Sequence, residues 1–251
     1  DEAIEAYRRA LELRPTFAEA RYNLAAAYEQ NGDVEEGISE LRKLVQEDPH
    51  HRDANRQLGK ALESVGRTDE AIQVHRRSTD TWPDSAEAHL LLGGALLKAS
   101  QPEEAMVSLR KGRDLDPSLL AAHHQLGTAL KQLGKRDEAL AEFKKADAIR
   151  NRSDDRLRAV THLEDGLAKV SSGDLDGGIA EFEKAVASAA DSAEARQFLG
   201  VALSKKGNLD RAIAELTRAL ELRPNYFEAR YSLGLARAKK GDIEGAARDF
   251  R

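Results

Sequence analysis

The chain of 251 residues contains no cysteine, so disulfides and thiolate zinc sites are excluded and the redox compartment leaves no trace. It has no apolar run near the ~20 residues that cross a bilayer, and its opening, DEAIEAYRRA, is unlike a signal peptide, so a soluble chain without membrane insertion is expected. Neither sign of charge dominates: 39 Lys and Arg against 44 Asp and Glu leave a net charge of −5, although 33% of the residues are charged. That balance gives no reason to expect nucleic acid or an anionic membrane as partner. Signatures of catalysis are also missing. There is no GxSxG and no HExxH, and GKALESVGRT and GTALKQLGKR miss the spacing of a phosphate loop. The stretch GDLDGG at 173–178 would need a glutamate where Ala185 stands to be a calcium loop, and it reads as a turn. Carboxylate pairs such as Glu35 with Glu36 and Glu103 with Glu104 fall on solvated helix faces, without the burial that acid–base work needs. His50 and His51 read as an exposed turn, and Trp82, just before Pro83, as packing. No enzyme, no metal and no cofactor is expected.

Proline and glycine are few but regularly placed. Pro15, Pro49, Pro83 and Pro117 follow at intervals of 34, as do Gly32, Gly66, Ser100 and Gly134; Gly173 comes 39 later, and Gly207 and Gly241 return to 34. The hexapeptide ALELRP stands at 10–15 and again at 219–224, six periods and five extra residues apart. With Ala18 as phase 1, phase 10 is alanine seven times: Ala27, Ala61, Ala95, Ala129, Ala168, Ala202 and Ala236. Phase 8 is Ala25 and then Gly59, Gly93, Gly127, Gly166, Gly200 and Gly234, and phase 20 is likewise small. Large apolar residues recur at phase 7 (Leu24, Leu58, Leu92, Leu126, Leu199, Leu233) and phase 24 (Leu41, Leu109, Phe143, Phe182, Leu216, Phe250). These spacings put the apolar residues on one face of each of two helices, A and B, hinged at phase 15. Small residues at phases 8, 10 and 20 mark the seam where the backbones meet. Proline at phase 32 ends helix B.

The segment AEARYNLAAAYEQNGDVEEGI, 18–38, and the phases it shares with the other repeats resemble the tetratricopeptide repeat family over essentially the whole chain. The resemblance implies an all-α fold: a right-handed superhelical solenoid of antiparallel helix pairs. Repeats fall at 18–51, 52–85, 86–119, 120–153, 159–192 and 193–226, with partial repeats at 1–17 and 227–251 and an insertion at 154–158, and a longer array is expected. At the insertion Asn151 replaces the proline, and Ser153, Asp154 and Asp155 read as the start of a long helix A.

In this family phases 2, 5, 9, 12 and 13 face a concave groove. They supply Arg56, Lys60, Leu90, Leu97, Lys98, His124, Lys131, Leu163, Leu167 and Lys205, a greasy floor in the middle repeats with cations along one rim. A protein or peptide partner with apolar anchors and acidic residues suits such a surface. Lysines at phases 12 to 14 also favour the helix dipole on their own account. Val160, Leu163 and Leu167 leave two readings open. Keeping the phase exposes them in the groove and puts Asp165 in the leucine position, to be held by Lys169 or His162; shifting the helix buries them, at ~1.5–3 kcal/mol each. The alanine at phase 10 and the histidines shared at phase 4 favour exposure. The asparagine and lysine pattern that holds chaperone tails is absent, as is the asparagine ladder of sugar-transferase arms, since phase 6 reads Asn23, Gln57, Leu91, Gln125, Glu164, Phe198 and Ser232. The expected function is a binding scaffold; the alternatives are a self-assembly module acting through its groove or uncapped ends, and the recognition arm of a larger enzyme.

Overall fold

The computed structural model describes residues 2–251, and among them 14 helices and no strand. The order is α1 (Glu2–Leu13), α2 (Ala18–Asn31), α3 (Val34–Glu47), α4 (Arg52–Ser64), α5 (Thr68–Thr81), α6 (Ala86–Lys98), α7 (Pro102–Leu115), α8 (Leu120–Gln132), α9 (Arg136–Ser171), α10 (Leu175–Ser188), α11 (Ala193–Lys206), α12 (Leu209–Leu222), α13 (Phe227–Lys240) and α14 (Ile243–Asp249). Outside α9, each helix packs on its sequence neighbours, the arrangement of an all-α solenoid. The chain divides into two compact units, one up to Ile149 and one from Arg150 to Arg251, and the boundary falls inside α9.

The seam forms as the phases require. A Cβ on Gly127, Gly166, Gly200 or Gly234 would lie 2.5–2.7 Å from the side chain of Phe143, Phe182, Leu216 or Phe250, and one on Gly59 or Gly93 would lie closer still to His75 or Leu109. At phase 20 the approach is to backbone: a Cβ on Gly37 would meet the Ala25 carbonyl at 3.0 Å. Close approach lets one large side chain fill the space that two medium ones would share.

The junction departs from expectation. No helix starts at Ser153; α9 runs unbroken for 36 residues. With Asn151 at the proline phase, every backbone amide in the stretch can continue the ladder, and a local cap worth ~1 kcal/mol does not compete with several helical hydrogen bonds. Leu140 is 54% exposed at phase 21, where Ile38 and Ile72 are buried. In the second unit Asp165 and Ala168, at the phases of a buried leucine and a buried alanine, are exposed, so Asp165 needs no rescue.

Each A-to-B turn closes at phase 15 in the left-handed region. Six glycines there have φ from 76 to 94°, and Ser100 adopts the same turn at φ 57°. Its amide donates to the Leu97 carbonyl at 3.0 Å and that of Gln101 to the Leu96 carbonyl at 2.9 Å, so hydrogen bonding holds a side-chain-bearing residue where only glycine is unstrained. Ser100→Gly is expected to stabilise the first unit by about 0.5–1 kcal/mol, the relieved strain less the entropy of a freer unfolded chain, and to raise its thermal midpoint by ~2–4 °C. An unchanged or lower midpoint by calorimetry would contradict this.

Candidate functional site

The A helices present one face away from their B partners, and phases 2, 5, 9 and 13 fall on it. In the first unit this inner face belongs to α4, α6 and α8. Arg56 is ion-paired with Asp53 at 2.6 Å and with Glu87 at 3.3 Å, the latter reaching the next layer. Lys98 reaches back to Glu63 at 2.5 Å, which also meets His75 Nε2 at 3.1 Å. Burial works against ionising Glu63, but hydrogen bonds from His75 and Lys98 outweigh it and hold the carboxyl below its usual range. Leu90 and Leu97 are half-buried, and His124 lies edge-on to Phe143 at 5.5 Å. Among the described residues Lys60 and Lys131 are exposed without an ion pair. Of the cations expected along the rim in the middle repeats, Arg56 and Lys98 are therefore tied to acids of adjoining layers while Lys60 and Lys131 stay free, and phase 9 there is Lys60, Gly94 and Thr128.

The greasy face lies in the second unit, on the C-terminal part of α9 and on α11 and α13. Phase 9 reads Leu167, 43% exposed, then half-buried Val201, then Leu235, 42% exposed. Val160 at phase 2 and Tyr231 at phase 5 add 49% and 51% exposed side chains. Leu163 corrects the expectation: it is only 8% exposed and joins the core with Phe182 and Leu199. The cause is the next layer, which offers Phe198 at phase 6; Phe198 stacks on Phe182 at 5.8 Å and packs on the cluster that contains Leu163. Glu194 and Glu228 edge this face at phase 2, and Lys205 and Lys239 at phase 13; all four are exposed and, among the described residues, none is in an ion pair. Acids in a first helical turn and bases in a last one also suit the helix dipole.

A second polar system went unread in the sequence. Phase 4, a large residue in the family pattern, is here Arg21, Asn55, His89, His123, His162, Arg196 and Arg230. Most reach the carbonyl six residues earlier, three before the first residue of their helix: Arg21 to Pro15, Asn55 to Pro49, His123 to Pro117, Arg196 to Ala190 and Arg230 to Pro224. Four also meet a glutamate 19 residues on: Arg21–Glu40 at 2.9 Å, His123–Glu142 at 2.6 Å, His162–Glu181 at 2.9 Å and Arg196–Glu215 at 2.7 Å. The signal was available as the recurrence of a basic residue at phase 4 with an acid at phase 23. Glu142 accepts from Arg113 and Lys145 as well; burial opposes its charge, yet the hydrogen bonds from His123 and Lys145 hold it below the usual range. His162, Asp165 and Glu181 lie close enough to hold a metal ion, with ligand atoms within 4.8 Å of one another. Lys169 at 2.7 Å and Lys184 at 3.1 Å already bond Glu181, so the protein itself supplies the positive charge there.

Family models for the tetratricopeptide repeat match residues 18–61, 62–117 and 120–152, and a related repeat model matches 1–32 and 200–241. The chain belongs to the tetratricopeptide repeat family. Its members generally mediate protein–protein interactions and are typically non-catalytic scaffolds. The stretch 153–199, which holds the C-terminal part of α9 and all of α10, is matched by none of these models. No curated protein matches the chain in sequence. Among solved structures it is similar to MamA of Desulfovibrio magneticus RS-1, residues 41 to the end, at 23% identity and TM-score 0.55 over 59% of this chain and 84% of that one. A double mutant of MamA RS-1 gives 24% identity and TM-score 0.57 over 61% and 86%. A chain of the APC/C hetero-tetramer Cut9–Hcn1 gives 17% and 0.51 over 94% and 46%. At such identities these likenesses establish the fold of this repeat protein alone. No helix among the described residues is long and apolar enough to cross a membrane.

Glu181 gives this repeat array an acid-sensitive point. Hydrogen bonds from Lys169 and Lys184, with His162 adding to them, bring its carboxyl down to about 2. An unfolded glutamate titrates near ~4.3. The stabilisation is therefore complete above that value and is lost as the pH falls toward about 2. Glu181→Gln is expected to lower the melting temperature at pH 7 and to flatten its fall between about pH 4.5 and 2. Parallel melting curves for the two proteins across that range would refute the assignment.

Proposed function

We propose that this chain is a non-enzymatic scaffold that captures a partner peptide or helix on the inner face of its A helices, with the second unit as the principal docking surface. The observation that carries this reading is the exposed apolar strip of Val160, Leu167, Tyr231 and Leu235 on one side of the second unit. Four large side chains left 42–51% exposed along one face of a rigid scaffold mark an interaction site. Arg56, Lys60, Leu90, Leu97, Lys98, His124 and Lys131 form the corresponding face of the first unit, where paired charges favour a weaker, more polar contact.

A displayed library of random 20-residue peptides selected on the purified chain tests the reading. Leu167→Glu with Leu235→Glu is expected to abolish capture of the enriched peptides while the melting temperature changes by less than ~2 °C, since both positions lie on the exposed face outside the buried core. Lys111→Glu, away from this face, is expected to leave capture intact. Equal capture by all three proteins would remove the second-unit face as the site.

A further inference from the structure

Resting on that reading, we infer that the partner of the second unit is an amphipathic α-helix with oppositely charged edges, acidic along Lys205 and Lys239 and basic along Glu194 and Glu228.

The first argument is spacing. The inner helices α11 and α13 touch, so successive layers lie about 8–10 Å apart. Val201 and Leu235 therefore offer apolar contacts ~10 Å apart, and Leu167 holds the same phase on the layer before, whose Leu163 shares a core with Leu199. An α-helix returns a side chain to the same face every seven residues, about 10.5 Å along its axis. A β-strand returns one at about 6.6 Å and again at about 13 Å, and misses the layers in both cases. The second argument is breadth. Val160 at phase 2 and Tyr231 at phase 5 stand off the phase 9 row by seven and four residues along their helices, about 10 and 6 Å. A polyproline II thread repeats every ~9.3 Å but covers one row; the apolar face of a helix covers both.

The third argument is charge. Phases 2 and 13 are about 16 Å apart along an A helix, enough to seat a helix ~10–12 Å wide between them. The acidic and basic rims are each exposed and, among the described residues, free of ion pairs, unlike Arg56 and Lys98 in the first unit. A helix with acid on both edges meets Glu194 and Glu228 with like charge; one with base on both edges meets Lys205 and Lys239. Only split edges satisfy both rims, and they do so in one direction of the bound helix, because reversal exchanges the edges.

The probes are four labelled 21-residue peptides read by fluorescence anisotropy. Three have leucine at the heptad core positions, with glutamate on one edge and lysine on the other, glutamate on both, or lysine on both; the fourth is a polyproline II peptide with leucine at every third position. The split-edge helix is expected to bind about tenfold more tightly than either single-sign helix at low salt, with the margin shrinking as salt rises. Lys205→Glu with Lys239→Glu is expected to transfer the preference to the all-lysine helix. If the three helices bind alike, or the polyproline peptide binds best, and Leu167→Glu with Leu235→Glu still abolishes binding, the split-edge helix is wrong while the groove stands. If the leucine variant binds every peptide as the unaltered chain does, the groove reading fails and this inference with it.

Discussion

A bare glycine Cα facing a large side chain 16 residues later is the contact on which the rest of this molecule depends. Gly127 with Phe143, Gly166 with Phe182 and Gly234 with Phe250 repeat it with nearly the same clearance, 2.5–2.7 Å to a Cβ that is not there. Because the clearance repeats, each A helix sits against its B helix at the same depth and rotation. Rows at one phase then line up from layer to layer within a unit, and this alignment turns isolated exposed residues into a surface. Gly166 keeps the contact even where the neighbouring sequence is least regular, which fixes the rotation of the C-terminal part of α9 and so the direction in which Val160 and Leu167 point.

The polar contacts at phases 4 and 23 do a different job. A buried Arg or His that bonds a carbonyl before its own helix and a glutamate on the B helix ties together three chain segments, and it does so with groups that would cost several kcal/mol if left unpaired. Burial of His123 and Glu142 at 4% and 6% exposure therefore specifies register more than it adds stability. A mispacked layer would strand a charge, whereas a mispacked leucine would only lose some area.

The seam and the helix pairs were legible in the sequence because they rest on residue size, and size recurs at a fixed period. The fate of the junction was not, because Ser153, Asp154 and Asp155 carry a local start signal while the deciding fact is the missing proline at Asn151. Leu163 was misplaced for a related reason: it shares a core with residues of the next layer such as Leu199, against which Phe198 also packs, a residue that breaks the otherwise mostly polar or small character of its phase. The cationic rim of the first unit was overrated because its neutralisation runs between layers, Arg56 to Glu87 and Lys98 to Glu63, at separations that a phase-by-phase reading does not join.

That last difference decides which unit can discriminate among charged partners. In the first unit an incoming carboxylate must compete with Glu63 for Lys98 and with Asp53 and Glu87 for Arg56, so at those two cations a new ion pair is made by breaking an old one and the net gain is small; among the described residues only Lys60 and Lys131 on that face stand free. In the second unit Lys205, Lys239, Glu194 and Glu228 face water, and an opposite charge brought up beside the apolar strip loses only water and salt screening. Burying Leu167 and Leu235 at the same time lowers the local dielectric around those pairs and strengthens them. Apolar floor and free rims thus reinforce one another on the second-unit face, while on the first Arg56 and Lys98 are already paired and Leu90 and Leu97 are half-buried.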